Sequence, residues 1–359
     1  MNNPSLFAIG YTEIFAQQAR QFKDCFPARV SVQHKDLYRV ITERGEIHAV
    51  IAGKLGYAAT DFPDYPAVGD WVMVDRLLDR DGHAVIRHIL PRQTVFRRKA
   101  SGAAVHGQIV AANIDTLFIC MALNHDFNLR RLERYLAIAW DSGAIPVIVL
   151  TKADLCEELD LRVAETRHTA IGVEILVTTG LSEQGYQSVM AYLQPGKTIA
   201  FIGSSGVGKS TLINLLLGEN RLATNEIAPD GKGRHTTTFR QLLPLPCGAV
   251  VIDTPGMREL QLESADLSTT FADIADISSQ CRFADCRHEH EPGCAVQKAI
   301  VEGHLLPERL ASYKKLQIEL GYQGLTARQL ENEKITRMMG SVGGIKQFRA
   351  LIKEKNKRH

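Results

Sequence analysis

No apolar run in this 359-residue chain approaches the ~20 residues that a membrane-spanning helix needs, so no membrane association is expected. The N-terminal stretch MNNPSLFAIGYTEIF has neither a basic segment nor a long apolar core. A secretory signal is therefore not expected, and a cytoplasmic protein is. Charge of one sign is also scarce: 42 Lys and Arg against 40 Asp and Glu leave +2. That balance argues neither for nor against a nucleic-acid partner. Cysteine is sparse, with seven in the chain. Cys25, Cys120, Cys156 and Cys247 stand alone, as reduced and partly buried thiols do in a cytosolic protein. The other three crowd into one short segment and need a different explanation. Ordinary apolar and charged fractions, 45% and 23%, exclude gross disorder. The length allows two or three domains, each with its own core.

What is present is organised around Thr198–Thr211, TIAFIGSSGVGKST. A strand-like run enters Gly203. Then come Ser204, Ser205, Gly206, Val207, Gly208, Lys209, Ser210 and Thr211, and a helical pattern follows. Strand–GxxxxGKS–helix is the phosphate-binding loop of nucleoside triphosphatases. Its glycines let backbone N–H groups converge on phosphate oxygens, aided by the helix N-terminus. Lys209 is expected to reach the β- and γ-phosphates and Ser210 to ligate Mg²⁺.

Ahead of it, ARVSVQ, LYRVIT, EIHAVIAG, DWVMVD and HAVIRHIL are short β-rich runs separated by turn signals. Five such strands suggest an OB-type barrel; an SH3-like barrel or a plain sandwich gives a similar pattern. Arg92, Arg97, Arg98 and Lys99 follow, either as a solvated linker or as a phosphate-contacting surface. From Asn113 onward, buried strands alternate with amphipathic helices, which predicts a mostly parallel sheet with its site at the carboxyl ends of the strands.

The strand IPVIVL runs into Thr151-Lys152-Ala153-Asp154, which resembles the guanine-recognition element NKxD. Asp154 would accept from guanine N1–H and the 2-amino group, neither of which adenine offers. Lys152 would lie along the base. Thr151 in place of Asn is expected to weaken the cross-link between base and phosphate loops. Asp253-Thr254-Pro255-Gly256 after the strand AVVI is a DxxG switch, whose Asp holds Mg²⁺, usually through water. Between switch and phosphate loop lies Arg234-His235-Thr236-Thr237-Thr238, where Thr237, with Thr236 as the alternative, is the expected Mg²⁺-ligating switch threonine. Met257 occupies the place where many GTPases carry a water-orienting Gln, and His235 is the candidate to replace it.

The base element precedes the phosphate loop here, the reverse of the usual order, as a circularly permuted domain would place it. With these motifs the chain resembles the RsgA (YjeQ/YloQ) family of circularly permuted GTPases. Val68-Gly69-Asp70-Trp71-Val72 and Ala112-Asn113-Ile114-Asp115 are also similar to family stretches. The family tends toward a Ser-Ala pair where this chain has Val177-Thr178-Thr179-Gly180. The resemblance implies a multidomain α/β protein. Residues 1–97 would form a helical lead-in and an OB-type barrel, and 98–262 a permuted GTPase domain. Residues 263–359 would form a mainly helical zinc-binding domain. It also implies GTP hydrolysis to GDP during late maturation of the small ribosomal subunit, stimulated by that subunit, with the subunit and its rRNA as partners.

Cys281-x₄-Cys286-x-His288-x₅-Cys294 supplies three thiolates and one imidazole, a closed set for one structural Zn²⁺ per chain. Disulfides are the rival reading, disfavoured by a cytosolic setting. His290 stands beside the set as a solvated or outer imidazole. Residues 329–359 carry eight Lys and Arg against three Glu, which favours RNA contact over a merely solvated tail. A monomer is expected. Two other functions remain open at this stage: a P-loop kinase or ATP-dependent transferase, and an RNA-binding GTP switch with negligible turnover.

Overall fold

The computed structural model describes residues 6–34, 37–53, 55, 65–80, 82–98, 108–180, 183–219, 221–222, 240–254 and 265–321. A short helix, Glu13–Ala19, leads into β1 (Phe26–Gln33), β2 (Tyr38–Thr42), β3 (Gly45–Ile51), β4 (Trp71–Val74) and β5 (Ala84–Ile89). These follow the five runs read from the sequence, because each alternates apolar residues into one core of Ala28, Val30, Val40, Val72 and Ile86. They pair in the order β1-β2-β3-β5-β4, and a β1–β4 pairing closes the barrel. The β3–β5 pair is parallel and the other pairs are antiparallel, which is the five-stranded Greek-key closure of an OB barrel.

A hairpin follows, β6 (Val95–Arg98) with β7 (Gln108–Ala112). The domain boundary expected between 97 and 98 falls inside β6. Arg92 matches neither reading of the basic cluster. Its guanidinium grips the buried Asp70 with bonds of 2.8 and 2.7 Å and donates to the Tyr65 carbonyl. Lys99 lies outside the described residues, as does the basic segment 329–359.

The second sheet is built from β8 (Thr116–Ala122), β9 (Ile145–Thr151), β10 (Glu174–Val177), β11 (Thr198–Ile202), β12 (Gln241–Pro244) and β13 (Val250–Asp253). Its order is β10-β9-β8-β11-β13-β12, parallel except for the last pair. A bridge between Val32 and Gln241 joins it to the barrel. The helix Leu129–Ser142 is capped by the Asn128 side chain and stopped by Gly143 in the left-handed region.

The two stretches noted for family similarity meet where barrel and sheet join. A Cβ on Gly69, at φ +92°, would stand 2.2 Å from the Ala112 carbonyl oxygen, so only glycine fits there. Asn113 donates its amide to the Gly69 carbonyl, and the buried Arg29 donates to the carbonyls of Ile9, Gly69 and Asn113. Burial lowers the Arg29 pKa to about 10, leaving it a cation at neutral pH.

The C-terminal helices Leu267–Thr270, Ala272–Ser278, Ala295–Val301 and Pro307–Leu320 share a core with the helix Leu129–Ser142. Buried Arg309 locks this union. It bonds Glu133 at 3.0 Å and Asp273 at 2.5 and 2.8 Å, donates to the Thr169 and Thr270 carbonyls, and lies over the Phe271 ring. Among the described residues no helix is long and apolar enough to cross a membrane.

Candidate nucleotide site and metal cluster

The carboxyl ends of the parallel strands lie side by side because the sheet order puts β11 between β8 and β13, with β9 and β10 beyond β8. At the end of β11 the chain turns at Gly203, where a Cβ would come within 2.4 Å of the Cys120 carbonyl oxygen of β8. The loop Ser204–Gly208 then feeds the helix Lys209–Leu217. Lys209 is buried, and its ammonium donates to the carbonyls of Gly203 at 2.8 Å and Ser204 at 2.7 Å. Burial lowers its pKa, while Cys120 and Asp253 nearby favour the charged form. Ser205 and Ser210 are half-buried, and Thr211 is exposed.

Asp253 ends β13 and is 3% exposed; its Oδ2 has no hydrogen-bond partner among the described residues. Burial raises its pKa to about 6 against the attraction of Lys209. An unpartnered carboxylate oxygen beside the Lys209 ammonium is a hard oxygen donor of the kind Mg²⁺ takes. Thr254 donates its hydroxyl to the Phe201 carbonyl, tying the start of the switch to the phosphate-loop strand. Pro255, Gly256, Met257, His235, Thr236 and Thr237 lie outside the described residues.

Thr151 departs from the expectation of a weakened cross-link. Its hydroxyl donates to the Val207 carbonyl at 2.6 Å, so the base segment and the phosphate loop are bonded to each other. A hydroxyl on a short side chain reaches because β9 ends close against the loop. Lys152 sits in the left-handed region at φ +57° and is half-buried, and Asp154 is exposed. Thr179 donates to Asp154 Oδ1 at 2.5 Å, and the Ala153 N–H donates to the Thr178 carbonyl. The Val177–Gly180 loop, which stands where the family tends toward a Ser-Ala pair, thus holds the carboxylate itself.

Sequence reasoning passed over Arg131, which donates to Ser204 Oγ at 2.5 Å and to Asp126 Oδ1 at 2.9 Å. A cation in an amphipathic helical pattern reads as a solvated face, and no local signal marks this contact.

The ligand atoms of Cys281, Cys286, His288 and Cys294 all lie within 4.8 Å of one another. His288 Nδ1 is 3.7 Å from Cys281 Sγ and 3.5 Å from Cys294 Sγ. Donors about 2.3 Å from a tetrahedral zinc stand about 3.8 Å apart, so the set fits. The other imidazole nitrogen, Nε2, is 3.2 Å from Ser278 Oγ, and Gln297 and Lys314 donate to the His288 carbonyl. With a metal on Nδ1, Nε2 would carry the proton and donate to Ser278 Oγ, fixing the ring. His290 is exposed and outside the cluster. Glu291 accepts from the N–H groups of Arg287, Glu289 and His290, which lowers its pKa to about 2 and folds the segment around the cluster.

Residues 89–263 match the family model described as RsgA GTPase. The chain is 54% identical over 322 residues to small ribosomal subunit biogenesis GTPase RsgA 2 of Lactiplantibacillus plantarum, covering 89% of this chain and 91% of that one. It is 44% identical over 331 residues to the protein of that class from Opitutus terrae, covering 89% and 90%. Among solved structures, YjeQ from Thermotoga maritima aligns with a TM-score of 0.61 at 28% identity, over 82% of this chain and 98% of that one. YloQ, a circularly permuted GTPase, aligns with a TM-score of 0.58 at 23% identity, over 83% and 96%, and speaks to the fold.

Proposed function

The chain belongs to the RsgA GTPase family, and from that premise we propose that it hydrolyses GTP in late maturation of the small ribosomal subunit, stimulated by that subunit. One observation carries the chemical part. The phosphate loop, the base segment and Asp253 converge on the carboxyl edge of a single sheet, although the chain visits them in permuted order.

In this reading the backbone of Gly203–Thr211 cradles the phosphates, and Lys209 turns its ammonium to the β- and γ-oxygens. Asp154, held by Thr179, accepts from the guanine edge, while Lys152 lines the base. Ser210, Asp253 and Thr237 would hold Mg²⁺, which when bound would neutralise charge developing on the phosphate oxygens. His235 orients the water, whose oxygen bonds to the γ-phosphorus as the bond to the GDP oxygen breaks. The C-terminal cluster holds one structural Zn²⁺ and, with the barrel and the basic segment 329–359, contacts rRNA. The domains divide near 97 and 262, and the protein works in the cytoplasm as a monomer.

The test is turnover of GTP and of ATP by the wild type, Lys209→Ala and His235→Ala proteins, with nucleotide binding measured separately. GTP-selective turnover lost in Lys209→Ala, and lost in His235→Ala with binding kept, supports the assignment. Equal displacement of bound GTP by ATP would favour a kinase instead.

A further inference from the structure

We propose that Arg131 is a positioning residue for GTP hydrolysis: it fixes Ser204, whose carbonyl in turn aims Lys209 at the γ-phosphate. The proposal rests on the phosphate-loop reading above.

Ser204 and Ser205 lie between two glycines of the loop, outside any helix or strand, so their placement depends on outside contacts. Ser204 is 7% exposed and is held on two sides. Its hydroxyl accepts from Arg131, and its carbonyl accepts from the Lys209 ammonium at 2.7 Å. Asp126 orients the Arg131 guanidinium, accepting from the same Nη1 on its carboxylate at 2.9 Å and on its backbone carbonyl at 3.4 Å. As a surface ion pair alone, Arg131–Asp126 would contribute little. Its weight comes from the bridge to a residue 73 positions away.

The base of this tether is rigid. Asn128 Oδ1 accepts from the Arg131 N–H at 3.0 Å, which caps the helix that begins at Leu129. Two residues on, Glu133 is fully buried and accepts from Arg130, Arg309 and Ser312. A side chain on an anchored helix can hold a loop to the tolerance that phosphoryl transfer requires.

Lys209 would meet β- and γ-oxygens in GTP but only β-oxygens in GDP, so its placement counts for more in the GTP complex. Releasing Ser204 should therefore lower kcat and GTP affinity more than GDP affinity. A contact that merely stabilised the loop would change both affinities alike.

The experiment measures kcat, and binding of GTP and GDP, for wild type, Arg131→Ala, Arg131→Lys, Ser204→Ala and the Arg131→Ala/Ser204→Ala double variant. Lys209→Ala serves as the control. We expect Arg131→Ala to lose about tenfold in kcat with GDP binding changed less than about twofold. Arg131→Lys, which keeps the charge but not the reach and planar geometry of the guanidinium, should recover part of the rate. The double variant should be no worse than the poorer single one, because Arg131 acts through Ser204. Additive losses, equal effects on GTP and GDP, or an unchanged kcat in Arg131→Ala would each overturn the proposal. If wild type turns over GTP no faster than Lys209→Ala, the phosphate-loop reading falls and this proposal with it. If wild type is active and Arg131→Ala matches it, this proposal alone fails.

Discussion

The Thr151 hydroxyl donates to the Val207 carbonyl across 2.6 Å, and this bond joins the base-recognition segment to the phosphate loop. Thr151→Val keeps the shape and removes the donor, leaving a buried carbonyl unpaired. The variant should bind GTP and GDP about fivefold more weakly, by the same factor for each. Titration with fluorescent nucleotides would read the change; unaltered affinities would mean that the link carries no binding energy.

Asp154 is expected to choose the base. Asp154→Asn should cut the preference for GTP over XTP by about 10–100-fold, the worth of hydrogen bonds to a charged group. Selectivity that survives the change would place guanine recognition elsewhere in the chain.

Buried Asp253, with a pKa raised to about 6, gives a pH dependence of defined sign. A carboxyl whose folded pKa exceeds its unfolded value of about 4 favours the folded state below about pH 4, and that contribution is lost as pH rises through 6. In metal-free protein, Asp253→Asn should therefore melt about 2–4 °C above wild type at pH 8, with the gap about half as large at pH 5 and closing near pH 4. The same titration should weaken Mg²⁺-dependent GTP binding in wild type below about pH 6. Melting curves in chelator at both pH values decide it, and a gap of equal size at pH 5 and 8 contradicts the account.

Legibility in the sequence followed the range of the contacts. The barrel strands, the helix Leu129–Ser142 with its Gly143 stop, and the Cys₃His spacing are all local patterns, and periodicity or spacing exposes them. The phosphate loop was legible because its glycines sit at fixed intervals. Contacts that bridge distant segments left no such trace. Arg92 meets Asp70 across 22 positions, Arg131 meets Ser204 across 73, and Arg309 meets Glu133 across 176. Each is a charged residue in a segment whose own pattern reads as solvent-facing, and only the assembled fold gives it a partner. The Thr151 cross-link escaped for a similar reason: a four-residue motif does not say how close the next loop comes.

The Cys₃His cluster should carry one zinc per chain by elemental analysis. Cys294 is buried and also caps the helix Ala295–Val301, its sulfur accepting from the Gln297 N–H. Cys294→Ser should lose the metal and lower Tm by about 5 °C or more, and a strong chelator should do the same to wild type. Full zinc and normal melting in Cys294→Ser would defeat the assignment.

The central claim is that this GTPase serves the small ribosomal subunit. Its most direct test is GTP turnover at fixed salt, with and without purified small subunits, using large subunits and Lys209→Ala protein as controls. The account predicts stimulation of about tenfold or more by small subunits alone, absent from Lys209→Ala. Turnover that small subunits leave unchanged, or that large subunits raise equally, would contradict it.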